Sequence, residues 1–151
     1  MNTLAMYNRL TKLPLGKQIF SKTVCLAAPY FSSIKPKISE LKPGLCQVHM
    51  KKRRRVQNHL KTVHAIAMCN MAELSAGLMM DVSVPKGARW IPAGMEVQYL
   101  KKAKTHLTAV ADGQAIDWQT QGDVMVPVRV TDTQNNLVFS AQVRMNIKHK
   151  S

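Results

Sequence analysis

The longest apolar stretch of the chain spans residues 63–80. Its apolar positions recur at the i, i+4, i+7, i+11 spacing of a helix: Ala67, Met71, Leu74 and Leu78. Glu73 is the only charged residue between His64 and Asp81, so the predicted helix is apolar on nearly every face. A helix of this kind is stable only when it is buried, and the loop at residues 83–87 ends it.

Most of the remaining sequence alternates apolar and polar positions with the period of two that is typical of strands. The alternation predicts five strands: residues 45–55, 95–99, 107–111, 124–130 and 137–147. Short turns join the last four, so we expect an antiparallel meander. One sheet face cannot cover a helix that is apolar all round. The pattern therefore predicts an α+β fold, an antiparallel sheet wrapped around a central long helix, and a dimer.

A looser helical stripe with interspersed cations covers residues 3–33 and predicts one or two short helices. Such a stripe can lie on a membrane surface, or it can pack on its own domain, which is the commoner arrangement and the one we favour. Pro36 and the Pro43-Gly44 pair then interrupt the chain. We interpret residues 1–151 as one domain, with an N-terminal helical extension at residues 1–35 and a core at 43–148.

Composition narrows the class of partner. The 151 residues suit one compact domain, and 46% hydrophobic with 20% charged residues indicates a globular chain. A formal net charge of +14 implies an anionic partner: nucleic acid, a membrane surface or a phosphate-bearing metabolite such as coenzyme A. Cys25, Cys46 and Cys69 show no paired spacing and no metal-ligand motif, so we expect the cytoplasm and no cofactor. We also predict no signal peptide and no transmembrane segment.

Three residues around the start of the central helix have an informative spacing. His64 follows Asn58 by six residues, and Glu73 follows His64 by nine, in the stretch NHLKTVHAIAMCNMAE. Together with the strand sequence EVQYLKKAK and the order of elements, this stretch resembles the hotdog-fold acyl-CoA thioesterase superfamily, in particular its phenylacetate-pathway-type branch and relatives of unknown function. The resemblance covers roughly residues 43–148 and implies a hotdog fold that hydrolyses an acyl thioester.

The resemblance implies a role for each of these residues. Glu73 is the candidate general base or nucleophile. His64 would orient the thioester carbonyl or donate to it, and Asn58 would hold water or substrate. The backbone N–H of Ala65 is the candidate oxyanion donor, aided by the helix dipole. This chain has Ala65-Ile66 where the branch has Gly-Gly, and residues 90–100 offer no Ser or Thr to position water.

Helix geometry separates two of the candidates. Nine residues at ~100° each put His64 and Glu73 on opposite sides of an ideal helix. Glu73 is therefore expected to act with His64 and Asn58 of a second subunit, in a homodimer or a dimer of dimers with the site at the subunit interface.

Other interpretations stay open. Glu73 could be a structural carboxylate held by Asn70 or by another subunit, and the pocket could bind an acyl or other hydrophobic ligand without cleaving it. The basic residues 51–55 have three interpretations, in decreasing order of preference. They could form a solvated strand edge, a site for coenzyme A phosphates through Arg53, Arg54 and Arg55, or a nucleic-acid patch.

Overall fold

The computed structural model describes residues 2–149, so Met1, Lys150 and Ser151 of the predicted domain lie outside the described residues. Within this range the α-helices are α1 Thr3–Leu10, α2 Gly16–Ala27 and α3 Ala65–Ser83. The β-strands are β1 Lys37–Lys42, β2 Leu45–Met50, β3 Arg89–Tyr99, β4 Leu107–Asp112, β5 Gly122–Thr131 and β6 Leu137–Lys148. Two 3₁₀ helices cover Pro29–Ile34 and Arg54–Val56.

The strands form one six-stranded antiparallel sheet in the order β1-β2-β4-β5-β6-β3. Helix α3 packs against all of these strands. Its Met71, Met79 and Met80 side chains are fully buried, as are Val126 and Val130 on β5. The predicted α+β architecture, with the sheet around a central helix, is confirmed.

The two ends of α3 are fixed by side chains. The ring Nδ1 of His64 accepts a hydrogen bond from the Ile66 N–H at 3.0 Å and caps the first turn. The Ser83 hydroxyl donates to the Met79 carbonyl at 2.6 Å and accepts from the Gly44 N–H at 2.8 Å. By length and composition α3 could cross a membrane, but more than half of its apolar window is buried inside the fold, as in a core helix.

The predicted extension of a strand through residues 51–55 is wrong, because β2 ends at Met50. The pairing of β2 with β1 stops at His49 and its pairing with β4 stops at Met50, so no neighbouring strand offers ladder partners beyond that point. The Lys52 N–H instead donates to the ring Nδ1 of His106 at 2.9 Å.

Two further features of the sheet differ from the prediction. The pattern missed β1, which pairs with β2, so the sheet begins upstream of residue 43. The predicted meander is wrong for β3, which pairs with β6 at the far edge instead of with β4. The connection after β3 is long enough to cross the end of the sheet, where the Ala103 carbonyl accepts from the Val63 N–H at 2.8 Å.

The N-terminal helices pack onto β1, in agreement with the interpretation favoured above. The Tyr7 ring meets the Phe20 ring edge-on at a centroid distance of 5.0 Å, and the Tyr7 hydroxyl donates to the Ser39 carbonyl at 3.0 Å. The buried Ser21 hydroxyl accepts from the Ile38 N–H at 2.9 Å. These contacts place the extension against the sheet.

We expect Ser21→Ala to lower the free energy of unfolding by about 1–3 kcal/mol, because the Ile38 N–H would stay buried without an acceptor. Thr23→Ala is the matched control. The Thr23 hydroxyl donates to the Ile19 carbonyl at 3.0 Å, as Ser21 does to Lys17 at 2.7 Å, but within residues 2–149 it accepts nothing from the sheet. Urea unfolding measures both variants. Equal stability of Ser21→Ala and wild type would contradict this role of the bond.

Candidate active site

One stripe of α3 is left uncovered by the sheet. Ile66 and Glu73 are exposed on it, whereas Ala72 and Leu74, on either side of Glu73, are buried. The Glu73 carboxylate makes no hydrogen bond or ion pair within residues 2–149. Asn70 does not hold it, because the Asn70 amide donates to the Ser33 hydroxyl at 3.2 Å. The Glu73 carboxylate is thus exposed and, within residues 2–149, unpaired.

Glu73 borders an apolar groove with a volume of ≈ 320 Å³. We call it the N-terminal groove, because α1, α2 and the following 3₁₀ helix form one wall, while α3 and the start of β3 form the other. Representative lining residues are Met6, Val24, Phe31, Leu74, Leu78 and Trp90. The α3 lining runs from Glu73 to Asp81, which is about 12 Å along the helix axis.

Trp90 forms a fixed side wall of this groove. Its indole N–H donates to the Asp81 carboxylate at 2.8 Å. A Cβ at Gly77 would stand 3.0 Å from the Trp90 ring, so the absence of a side chain at Gly77 lets the indole lie against α3. Although Asp81 keeps solvent contact, desolvation beside the apolar walls raises the pKa of its carboxyl, and the hydrogen bond from Trp90 acts in the opposite direction. Sequence reasoning missed Trp90 and Gly77, because neither belongs to a recognisable motif.

A second cleft, of ≈ 310 Å³, lies on the other side of Glu73. Its lining includes Pro92, Gly94 and Met95 from the first half of β3. Because β3 is an edge strand, this cleft opens at the edge of the sheet. Glu73 therefore stands between an apolar groove and an open sheet edge.

The start of α3 offers two hydrogen-bond donors. Because Nδ1 of His64 accepts from the Ile66 N–H, the neutral ring carries its proton on Nε2, which can donate to a ligand. The Ala65 N–H, the first of α3, has no acceptor within residues 2–149. An unpaired N–H at the positive end of a helix dipole is suited to an oxyanion.

Asn58 is engaged in its own loop. Its carbonyl oxygen accepts from the Leu60 N–H at 3.0 Å and from the Thr62 N–H at 3.1 Å, and its amide donates to the Thr62 hydroxyl at 2.9 Å. Lys61 in this loop has a left-handed backbone, with φ of 59°. Through these hydrogen bonds, Asn58 stabilises the conformation of the loop before α3.

One chain does not bring the predicted site residues into a single cleft. Glu73 lines the two clefts described above. Asn58 and Ala65 line another, beside Tyr99 at the end of β3. His64 lines a further one, with Arg55. The separation agrees with the opposite helix sides deduced from the spacing, and the assembly across a dimer stays a prediction.

Cations lie beside the start of α3: Arg55 lines a cleft with His64, and Lys101 and Lys102 line one with Ala65. We call these three and their neighbours in the same chain segments the basic rim: Lys51, Lys52, Arg54, Arg55, Lys61, Lys101, Lys102 and Lys104. Arg53, the remaining member of the predicted phosphate site, is engaged within the fold, because its guanidinium donates to the Ser33 carbonyl. The ion pairs found within residues 2–149, Lys42–Glu40 and Arg144–Asp123, include no cation of the rim. Lys101 and Lys102 were not predicted, although the sequence KKAK was a visible signal.

A six-stranded antiparallel sheet around a central helix is the hotdog fold, which solved structures share, and the predicted fold is confirmed. The chain belongs to the family described as Domain of unknown function (DUF4442), whose family model matches residues 16–147. The resemblance to relatives of unknown function is thereby confirmed.

Solved structures share this fold. A structural-genomics crystal structure, APC5556, is 45% identical, with a TM-score of 0.89 over 98% of this chain and 99% of that chain. A thioesterase from Haemophilus influenzae is 13% identical, with a TM-score of 0.74 over 84% of this chain and 87% of that one. A protein of unknown function from Pseudomonas aeruginosa, described as a probable thioesterase, is 16% identical, with a TM-score of 0.77 over 91% and 97%. A comparison with curated proteins finds no match.

Proposed function

We propose that this protein hydrolyses an acyl thioester and that Glu73 is its catalytic carboxylate. One observation carries the proposal: an exposed carboxylate, without a partner in residues 2–149, lies between two clefts on the central helix of a hotdog fold. A carboxylate beside apolar walls and open to a ligand suits general base catalysis. The thioesterase descriptions of the structures from H. influenzae and P. aeruginosa support this class of reaction.

A second copy of the chain would complete the site. β3 is an edge strand of 11 residues with exposed side chains such as Ile91 and Tyr99, and such an edge readily pairs with another strand. If two copies of β3 pair antiparallel along their full length, the start of one lies beside the end of the other. Glu73 borders the start of β3, whereas Asn58 and Ala65 border its end. This pairing would bring Glu73 of one protomer toward the oxyanion donors of its partner.

In the proposed reaction, Glu73 takes a proton from a water molecule, and the resulting hydroxide bonds to the thioester carbonyl carbon. The carbonyl oxygen becomes an oxyanion, which accepts hydrogen bonds from the partner's Ala65 and the partner's His64. The C–S bond then breaks, and the thiolate takes the proton held by Glu73. The carboxylate is regenerated, and one acid and one thiol leave.

Glu73 can instead attack the carbonyl carbon directly and expel the thiolate, which leaves a mixed anhydride between the acyl group and Glu73. Water then hydrolyses the anhydride to the acid and the Glu73 carboxylate, and the remaining proton of the water goes to the thiolate. A single turnover in heavy-oxygen water reveals the anhydride route when water attacks the Glu73 carbonyl carbon of the anhydride. Heavy oxygen in the Glu73 carboxyl group, detected by peptide mass spectrometry, marks the anhydride route.

We further propose that the basic rim binds the phosphates of coenzyme A, with Arg54 and Arg55 in place of the structurally engaged Arg53. Both are exposed, and Arg55 lines a cleft with His64. We expect the double variant Arg54→Gln/Arg55→Gln to raise KM about tenfold, which is ~1.4 kcal/mol, with kcat nearly unchanged. Steady-state kinetics at low and high salt measure the effect, which salt should weaken.

Two controls isolate the phosphates in this experiment. Acyl-pantetheine carries the same thioester without the nucleotide, so wild type and the double variant should hydrolyse it equally. Lys12→Gln/Lys17→Gln removes the same charge from exposed positions of the N-terminal segment and should leave KM unchanged. An equal rise of KM for acyl-CoA and acyl-pantetheine would contradict phosphate binding.

A non-catalytic binding module is the second candidate. The observation that favours it is the local use of Asn58, whose side chain is hydrogen-bonded within its own loop, together with Ala65-Ile66 in place of two glycines. A co-purified hydrophobic ligand identified by mass spectrometry, with no hydrolysis of any thioester, would support this candidate.

Assays with short-chain, medium-chain, long-chain and aryl acyl-CoA substrates test the proposed activity directly. Turnover of at least one of them is the expected result, and no turnover across the panel would overturn the proposal. Because Cys25, Cys46 and Cys69 are free thiols, the cytoplasm remains our proposed location.

A further inference from the structure

We infer that the N-terminal groove is an acyl-chain pocket that takes a linear aliphatic chain of short to medium length. This inference rests on the proposed function, because it assigns a substrate class to the site at Glu73. It gives the N-terminal helices a role: they form one wall of the pocket that selects the substrate.

The chemistry of the groove fits an aliphatic chain. Its walls are aliphatic and aromatic, and Val24 and Phe31 of the N-terminal segment face Leu74 and Leu78 of α3. The Thr23 hydroxyl is occupied by the Ile19 carbonyl. At ≈ 320 Å³ the groove lies near the lower limit of ligand pockets, about 300 Å³. A protein segment would need a longer surface, whereas a single alkyl chain fits.

The position of Glu73 sets the direction of the chain. Glu73 lines both the groove and the cleft beside β3. A thioester carbonyl next to Glu73 would therefore have its alkyl chain in the groove and its sulfur on the β3 side. In the proposed dimer that side carries the partner's basic rim, where coenzyme A would lie.

The far end of the groove sets a maximum chain length. Asp81 is the last α3 residue that lines the groove, and its carboxylate accepts a hydrogen bond from the Trp90 side wall at 2.8 Å. A chain that grew past this point would bring methylene groups against a carboxylate, which is an unfavourable contact for both. The distance from Glu73 to Asp81 along α3, about 12 Å, therefore sets the maximum length of the bound acyl chain.

Equilibrium binding of S-alkyl-coenzyme A thioethers tests the pocket without any hydrolysis. A series from S-ethyl to S-dodecyl is titrated calorimetrically into the wild-type protein. We expect the affinity to rise by up to about fourfold per added methylene while the chain stays in the groove, and then to stop rising. Val24→Trp, which fills the groove from α2, should stop the rise at a shorter chain, so that its loss of affinity relative to wild type grows with chain length.

The control variant and the alternative groove-filling variant lie on the same helix as Val24, α2. Leu26→Trp adds an indole at a position that is 81% exposed and outside the groove, and its profile should match wild type. Ala27→Phe fills the groove from a solvent-exposed position, so it gives the same test if Val24→Trp does not fold. Chain-independent binding by wild type, or a wild-type profile in the groove-filling variants, would overturn the inference. Failure of the proposed function looks different: the chain-length profile persists, but no acyl-CoA is hydrolysed.

Discussion

Glu73→Gln is expected to lower kcat for acyl-CoA hydrolysis by about 10²- to 10⁴-fold, the usual contribution of a general base. Glutamine keeps the shape of the side chain but cannot take a proton from water. Because Glu73 is exposed and unpaired within residues 2–149, the free energy of unfolding should change by less than ~0.5 kcal/mol. Steady-state kinetics with the best substrate of the panel and urea unfolding measure the two quantities on one preparation.

Glu40→Gln provides the matched control for this substitution. It makes the same chemical change on β1, where Glu40 forms a surface ion pair with Lys42 at 2.7 Å, an interaction worth little in water. Its kcat should equal that of wild type. If Glu73→Gln retains wild-type kcat, the carboxylate is not the catalyst, and the proposed role of Glu73 is overturned although the hydrolysis itself stands.

The fold was largely predictable because its strongest signals are local. The apolar run of α3 and the alternation of β4, β5 and β6 each follow from side-chain periodicity, and the structure places these elements close to their predicted bounds. β1 escaped detection because it is short and four of the six residues in its sequence, KISELK, are polar. The error at residues 51–55 has a different cause: alternation cannot show where neighbouring strands stop, and the ladder ends at Met50.

Long-range pairing explains the remaining errors. Nothing local in the β3 sequence distinguishes a partner on β4 from a partner on β6, so the meander was the simplest arrangement of consecutive strands. The site was predictable in part, because the spacing of Asn58, His64 and Glu73 carries the resemblance. The N-terminal groove was not, since its walls come from α1, α2, α3 and β3, and only tertiary packing brings Val24 and Trp90 to the same cavity.

The assembly of the site across a dimer predicts that two inactive variants restore activity when mixed. Glu73→Gln removes the base from one part of the site. His64→Asn removes the ring Nε2 donor from the other part, while asparagine can still cap α3 as the His64 ring does at 3.0 Å. A heterodimer of the two variants contains one fully intact site and one doubly defective site. Random exchange of subunits in an equal mixture should therefore restore about a quarter of the wild-type rate.

The outcome of the mixing experiment depends on where Glu73 acts and not on how much each variant loses. If Glu73 worked with His64 of its own chain, every site in the mixture would lack one residue, and no activity would return. Differently tagged copies, co-expressed and purified through both tags, give pure heterodimer, for which half of the wild-type rate is expected. Size-exclusion chromatography with light scattering verifies that dimers are present. Dimers without recovered activity would contradict a site shared between two subunits. A fully active monomer would contradict the proposal that pairing of two β3 strands completes the site.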